Sequence, residues 1–543
     1  MARRDAPVVT VAQGSLQGVW KEGGSVAVFK GVPFAAPPVG ELRWRPPQDP
    51  APWTGVRDAK KDGPMAIQRA ADLELFMHEI LTGQGWGRAR VGALKTMIKY
   101  LPQPKQDEDC LYLSVRSPNP DGSAKLPVMV WIHGGDHQDG AGSDVYYNSN
   151  ALAATGVVTV SINYRLGVMG YLAHPELVAE SEHGVAGNYG TMDQIAALRW
   201  VRENIGSFGG DPDNVTIFGE SAGGESVMHL MTSPLARGLF HRAVPQSPAN
   251  GGQMMHLDKP LHNLPSGLEI GTRFAEALGV TGPDQMTRLR AMSVDQLYEV
   301  ARDDRLLGNH YPVIDGYVLP VSPFVAFAKG DQAPVPLMIG SNADEGTLIR
   351  PVLGAPMVDF RHIDAPAAGL QPEIVEAFGA DLPLLLQLYP GLDRQDRRAE
   401  IEFMGDHMFG ARAYYYARHH AAAGHPTHLY FFTRVPKSPK QTAGSYHAAE
   451  LPFVHGSNVP IFPMTAADKA LSAKMIGYWS DFAKTGDPNG NGRPRFPGFD
   501  PGDPRWLRLD HTITAEPVAR RTQYEIFNAR TDRLVADMTA LIT

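Results

Sequence analysis

A serine with a glycine two residues away on either side lies within Phe218-Gly219-Glu220-Ser221-Ala222-Gly223-Gly224. A β-like run, Asn214-Val215-Thr216-Ile217, leads straight into this stretch, and a helix-like run, Glu225-Ser226-Val227-Met228-His229-Leu230-Met231, leaves it. A strand that passes into a helix through one serine makes a turn so tight that only small neighbours fit. The turn lifts the hydroxyl above the sheet and towards the N-terminus of the next helix. This spacing fits a nucleophile elbow and makes Ser221 the candidate nucleophile.

The rest of the chain supports a sheet that could carry such a turn. Residues 126–133, 156–164, 214–218, 242–247 and 336–341 read as buried strands, with later strands expected at 427–434 and 524–529. Between them, 189–205 has helical spacing, with Ile195, Leu198, Trp200 and Val201 on its apolar face. Strands separated by helices predict an α/β fold: a large, mostly parallel twisted sheet with helices on both faces. The alternation never breaks, so residues 1–543 read as one domain although their length favours more. Two helical insertions interrupt it, at about 71–101 and 261–335. The first holds short amphipathic helices near 73–81 and 91–101. Excursions of this kind serve as lids over a site or as surface decoration.

Composition excludes several classes. The net charge is −8 and no basic run occurs, which argues against nucleic-acid binding. No stretch of about eighteen apolar residues is present, so no membrane-spanning segment is expected. Arg3-Arg4 is followed by a polar, alternating pattern, which does not support a secretory leader. Cys110 is the only cysteine; an internal disulfide is impossible, and a cytoplasmic, reducing location fits.

A serine needs a base, usually a histidine held in the right tautomer by a carboxylate. In α/β-hydrolases the order along the chain is serine, acid, histidine, each just after a core strand. After the strand at 336–341 come Asp344 and Glu345, both candidates for the acid, and further on His447 lies in a loop of small residues. There are 19 histidines, and a cluster at His419, His420, His425 and His428 matches no usual zinc spacing. The oxyanion formed by attack on an ester needs preorganised N–H donors. The Ala222 amide supplies one, and the loop His133-Gly134-Gly135-Asp136-His137 follows the strand at 126–133 where the others belong.

Together these residues resemble the type-B carboxylesterase family, which includes cholinesterases and bacterial para-nitrobenzyl esterases. The likeness runs through Gly31-Val32-Pro33-Phe34, Leu42-Arg43-Trp44, Glu108-Asp109-Cys110-Leu111, Asn163-Tyr164-Arg165-Leu166-Gly167 and Gly187-Asn188-Tyr189-Gly190. It continues through Phe208-Gly209-Gly210-Asp211-Pro212, the elbow, Asn342-Ala343-Asp344-Glu345-Gly346 and Trp479-Ser480-Asp481-Phe482. The resemblance implies Glu345 as the acid and His447 as the base. It also implies an Arg43–Glu108 pair with a structural role, and Glu220 as a residue that tunes the electrostatics of the site.

The chain departs from the family at two places. Secreted members bridge the cysteine matching Cys110 to one near position 66, where this chain has Ala66. Asp136 stands where relatives usually carry glycine or alanine. Two unit charges 4 Å apart interact by about 4 kcal/mol at an effective dielectric of 20, or about a thousandfold in rate if fully felt at the transition state. The Asp136 carboxylate is therefore expected to turn away, to pair (His137 being one candidate), or to contact substrate.

The expectation is a serine carboxylesterase forming an acyl-enzyme on Ser221, with Gly135, Asp136 and Ala222 amides at the oxyanion. His137, Gln138 and Glu220 are expected against substrate, which reads as a small-molecule ester, with a preference for polar esters as one expectation. The chemistry requires no metal or organic cofactor. Two alternatives stand beside it: a non-catalytic binding protein on the same fold, and an amide or carbamate hydrolase with the same triad. The sequence leaves monomer and homodimer equally open.

Overall fold

The computed structural model describes residues 5–68, 81–83, 85–100, 104–249, 254–261, 264–300, 310–347, 378–394, 396–435, 441–457, 459, 464–490 and 492–542. Its centre is an eleven-stranded sheet. In chain order the strands are β1 (Val19–Lys21), β2 (Val26–Pro33), β3 (Tyr112–Ser117), β4 (Leu126–Ile132), β5 (Val158–Ile162) and β6 (Gly210–Glu220). They continue with β7 (Arg242–Gln246), β8 (Leu337–Asn342), β9 (Thr427–Phe432), β10 (Arg505–Leu509) and β11 (Thr514–Pro517). Across the sheet the order is β11-β10-β9-β8-β7-β6-β4-β5-β3-β2-β1. All six pairings from β10 to β5 are parallel, and the outer strands at both edges run antiparallel.

The central strands read as unbroken apolar runs because both faces are covered. Side chains alternate between faces along a strand. Val128, Val130 and Ile132 of β4 join one core; Met129 and Trp131 join the other. The helices that meet the first core include α1 (Tyr189–Asn204), α2 (Ala222–Thr232) and α3 (Ala411–Ala422). Ile195, Leu198, Trp200 and Val201 of α1 are all buried there, as their spacing predicts. The second core is closed by α4 (Ala466–Thr485) through Leu471, Met475, Tyr478, Trp479 and Phe482.

One expected strand is absent. Residues 524–529 lie inside α5 (Arg521–Ile542). Its buried positions are Ile526 and the set Tyr524, Phe527, Asn528, Thr531, Val535 and Met538, and that set lies at i, i+3, i+4, i+7, i+11 and i+14 on one face. They recur every three or four residues, a helical period that a six-residue window rich in Tyr, Ile and Phe conceals.

Of the first insertion, the helix expected near 73–81 falls largely outside the described residues, and the second is Arg88–Tyr100. The other region contributes helices Gly267–Ala277, Gln285–Ala291, Val294–Glu299 and Pro323–Lys329. It also provides Val313–Ile314, paired in parallel with Met255–His256.

Buried ion pairs fasten the loops that leave the sheet. Arg43 makes a two-point contact with Glu108 (2.7 and 2.6 Å) and donates to the carbonyls of Leu289, Arg290 and Met292. Cys110 and Ala66 line one small cavity beside this pair. Arg165, just beyond β5, grips Asp193 of α1 at 2.8 and 2.7 Å, and both side chains are buried. Removing one partner of such a pair strands a charge in the interior. Arg165→Met is expected to cost about 3–5 kcal/mol, read as a lower urea midpoint. The joint Arg165→Met/Asp193→Leu variant is expected to recover most of the loss.

Candidate active site

Ser221 joins β6 to α2 with φ 57° and ψ −125°, a left-handed conformation rare for a residue with a side chain. The surroundings enforce it. A Cβ at Gly219 would lie 2.5 Å from the Gly223 carbonyl oxygen, and one at Gly223 would collide with the Ile132 carbonyl. The Ser221 amide donates to the Gln246 carbonyl of β7 (3.0 Å), and its own carbonyl accepts from the Glu225 amide (2.8 Å). The side chain therefore stands at the N-terminal end of α2, where the helix dipole favours negative charge.

Glu345 leaves the end of β8, and His447 lies in the loop between β9 and α4. They meet with His447 Nδ1 2.6 Å from Glu345 Oε2. The other oxygen, Glu345 Oε1, accepts from the Ser247 hydroxyl (2.6 Å) and the Asn342 amide (2.7 Å). Asp344, the other candidate acid, takes a different part: its carboxylate accepts from the Ser445 amide (2.7 Å) and so fastens the histidine loop. The second imidazole nitrogen, Nε2, is 3.2 Å from Glu220 Oε1, on the residue directly before Ser221. Phe409, from a π-helical turn at Asp406–Gly410, lies against the imidazole with ring centres 4.6 Å apart.

Two buried groups here were not singled out from sequence. Ser247, the residue after β7, holds Glu345; its place just beyond a core strand was the available signal. Glu450, three residues after His447, accepts from Gln246 Nε2 (2.9 Å) and Asn342 Nδ2 (2.7 Å). Trp479 Nε1 in turn donates to Gln246 Oε1 (2.9 Å), which gives the Trp479 motif a structural task.

These contacts set the titration. Burial alone would lower the His447 pKa, but Glu220 and Glu345 outweigh it and raise it to about 9. Burial pushes Glu220 up to about 8; His447 opposes the shift, and Glu450 and Glu345 add to it. The two groups titrate as a pair. The imidazole moves upward because carboxylates flank both its nitrogens.

The loop after β4 passes beside the elbow: a Cβ at Gly134 would lie 3.2 Å from Ser221 Cβ. Gly135, Asp136 and His137 all have positive φ (106°, 54° and 57°). Among the described residues neither the Gly135 amide nor the Ala222 amide has a hydrogen-bond acceptor, which leaves both available to a developing oxyanion. The Asp136 side chain is exposed, and its Oδ2 accepts from the Tyr311 hydroxyl at 2.8 Å. His137 points elsewhere. Its ring is buried, with Nε2 3.4 Å from Glu225 Oε2 and Nδ1 3.5 Å from the Tyr171 hydroxyl. Gln138 Nε2 donates to the His310 carbonyl (2.8 Å). Burial lowers the pKa of nearby His133 and His229 to about 4.

Three of the clustered histidines have partners outside this site. His420 bonds Gln332 and the Val335 carbonyl, His419 lies 3.8 Å from Asp532, and His428 packs on Phe496. No group of three or more potential metal ligands occurs among the described residues, and no described helix is long and apolar enough to cross a membrane.

A serine elbow on a mostly parallel sheet, with acid and histidine following later strands, defines an α/β-hydrolase. Residues 5–527 match the carboxylesterase family, and the chain belongs to it. The para-nitrobenzyl esterase of Bacillus subtilis (strain 168) is 34% identical over 524 residues, covering 94% of this chain and 96% of that protein. The fumonisin B1 esterase of Sphingopyxis macrogoltabida is 35% identical over 498 residues, covering 90% and 83%. A solved PNB esterase structure superposes with a TM-score of 0.76 at 31% identity, covering 96% of this chain and all of that one. The protein is a serine hydrolase acting on carboxylic esters.

An imidazole works as a base only when neutral. Activity is therefore expected to rise with pH through an apparent pKa well above the ordinary 6.5, near 9. Glu220→Gln removes one carboxylate that favours the charged ring, so the same limb should move down towards neutrality. Profiles of kcat/KM against pH for the two proteins check this.

Proposed function

We propose that ester hydrolysis proceeds in two steps through an acyl-enzyme on Ser221. The observation that carries this reading is the imidazole of His447: Nδ1 lies 2.6 Å from Glu345, and Nε2 reaches the residue next to Ser221. As Ser221 Oγ attacks the ester carbon, His447 takes its proton. The carbonyl oxygen, now negative, receives the amides of Gly135, Asp136 and Ala222, a class of contact worth about a hundred- to a thousandfold in rate per donor. The C–O bond to the alcohol breaks, and His447 gives that oxygen the proton. Water then attacks the acyl-enzyme, losing a proton to His447, and the acid departs as Ser221 Oγ takes the proton back. Glu345 stabilises the imidazolium in both steps, held by Ser247 and Asn342.

The whole chain serves in this reading as one catalytic domain, with the insertions at about 71–101 and 261–335 covering the site. His137 and Gln138 shape the loop that faces substrate, and Glu220 sets the charge beside it. The exposed carboxylate of Asp136 favours polar or hydroxylated esters. A reducing cytoplasm suits a protein whose lone cysteine, Cys110, is buried and unpaired.

Ser221→Ala is expected to lower kcat on a short para-nitrophenyl ester by about a millionfold. A fluorophosphonate should label Ser221 in the parent, seen as a mass increase on the peptide that carries it. Label on another residue would refute the assignment. Asp136→Gly should lower the ratio of kcat/KM for hydroxylated over alkyl esters; an unchanged ratio would remove the polar preference.

A further inference from the structure

The oxyanion loop carries an ionisable group on a residue whose amide we assign to the reacting oxygen. An amide there lowers the barrier, whereas a carboxylate swinging towards the same oxygen would raise it. Asp136 has several staggered side-chain rotamers open to it. One contact that favours a single rotamer comes from a distant part of the chain, where the Tyr311 hydroxyl donates to Asp136 Oδ2 at 2.8 Å.

Tyr311 is firmly mounted. His310 before it is buried, edge-on to Phe274 with ring centres 5.2 Å apart, and its carbonyl accepts from Gln138 (2.8 Å). Two residues later, the Val313 amide donates to Asn188 Oδ1 (3.1 Å) and its carbonyl accepts from Asn188 Nδ2 (2.8 Å). Residues 310–313 thus form a fixed post, and the loop docks on it through both Asp136 and Gln138. The loop's inner side is also tied, because the Gly167 amide donates to the His137 carbonyl (2.8 Å).

We propose that Tyr311 is a positioning residue for ester hydrolysis. It holds the Asp136 carboxylate on the outer, solvent side of the loop, so that the loop presents amides and no negative charge to the oxyanion. This rests on the acyl-enzyme reading above. The ground-state ester carbonyl is neutral and the transition state is not, so a released carboxylate acts on kcat and spares KM.

Tyr311→Phe keeps the ring and removes only the hydroxyl. On a short para-nitrophenyl ester it is expected to lower kcat by about ten- to a hundredfold, less than the loss of an oxyanion donor at a buried site because Asp136 is exposed. KM should change little. In an Asp136→Asn background the same Tyr311→Phe change should alter kcat by less than about twofold, since the charge it controls is gone. Asp136→Glu keeps the charge but displaces it from the hydroxyl, so it should be slower than Asp136→Asn. This comparison stands even if Tyr311→Phe folds poorly. The proposal is overturned if Tyr311→Phe matches the parent, if its loss is equal with and without the Asp136 carboxylate, or if Asp136→Glu is no slower than Asp136→Asn. Failure of the acyl-enzyme reading shows separately, as hydrolysis that survives Ser221→Ala.

Discussion

The backbone at Ser221 is held where a free chain would not stay. A non-glycine residue in so sparsely populated a conformation costs about 1–3 kcal/mol and persists only where its surroundings over-determine it. Here they do so from two neighbouring strands. β6 lies between β4 and β7, and the carbonyls at the ends of those strands press on the glycines around the serine: Ile132 against Gly223, and Gln246 against Gly224 at 2.6 Å from a would-be Cβ. The order of the central strands, the turn, the start of α2 and the exposure of the hydroxyl are thus one constraint. Strain also gathers around it. Among the described residues, five of the nine non-glycine residues with positive φ are Asp136, His137, Ser221, Ser247 and Ala448, all on loops that meet at this end of the sheet.

The same crowding sets the electrostatics. Glu220, Glu345 and Glu450 are buried around one imidazole. A buried carboxylate is tolerable in proportion to the donors that reach it. Glu345 has three, from Ser247, Asn342 and His447; Glu450 has the amides of Gln246 and Asn342. Glu220 Oε1 lies near His447 Nε2 without an aligned hydrogen bond. This shortage of donors explains why Glu220 rises to about 8. The arrangement raises the pKa values of Glu220 and His447 together, and it assigns different tasks to chemically identical side chains through their neighbours alone.

How far the sequence could be read follows from the range of each interaction. Strands such as Leu126–Ile132 and Arg242–Gln246 were legible because burial on both faces leaves an unbroken apolar run. Ser221 was legible because a local turn demands local glycines. Glu345 and His447 each follow a core strand, and the family resemblance chose Glu345 over Asp344. The helix Arg521–Ile542 was misread at 524–529 because its period appears only over several turns. Glu450 and Tyr311 carry no local mark, and Ser247 has only its place just beyond a core strand. Their partners lie far away in the chain, 175 residues for Tyr311 and Asp136, and only the folded sheet brings them together. For the same reason the sequence suggested His137 as a partner for Asp136, whereas the fold sends the imidazole inward to Glu225.

The loop at 134–140 shows why such long-range ties are needed. Glycines let its backbone come within reach of a reacting carbonyl, but they also raise the entropy lost when it is fixed. A loop of this composition cannot define its own shape to the fraction of an ångström that oxyanion stabilisation demands, so it takes that shape from elsewhere. Tyr164 donates to the His133 carbonyl (2.9 Å), Gln68 makes a two-way contact with Gly140 (3.0 and 2.9 Å), and Gly167 and the 310–311 segment fix the middle. Gln68 lies a few residues before the first insertion, and residues 310–311 belong to the second. The shape of the loop is therefore set by hydrogen bonds from segments far from it in the chain, Gln68 on one side and residues 310–311 on the other.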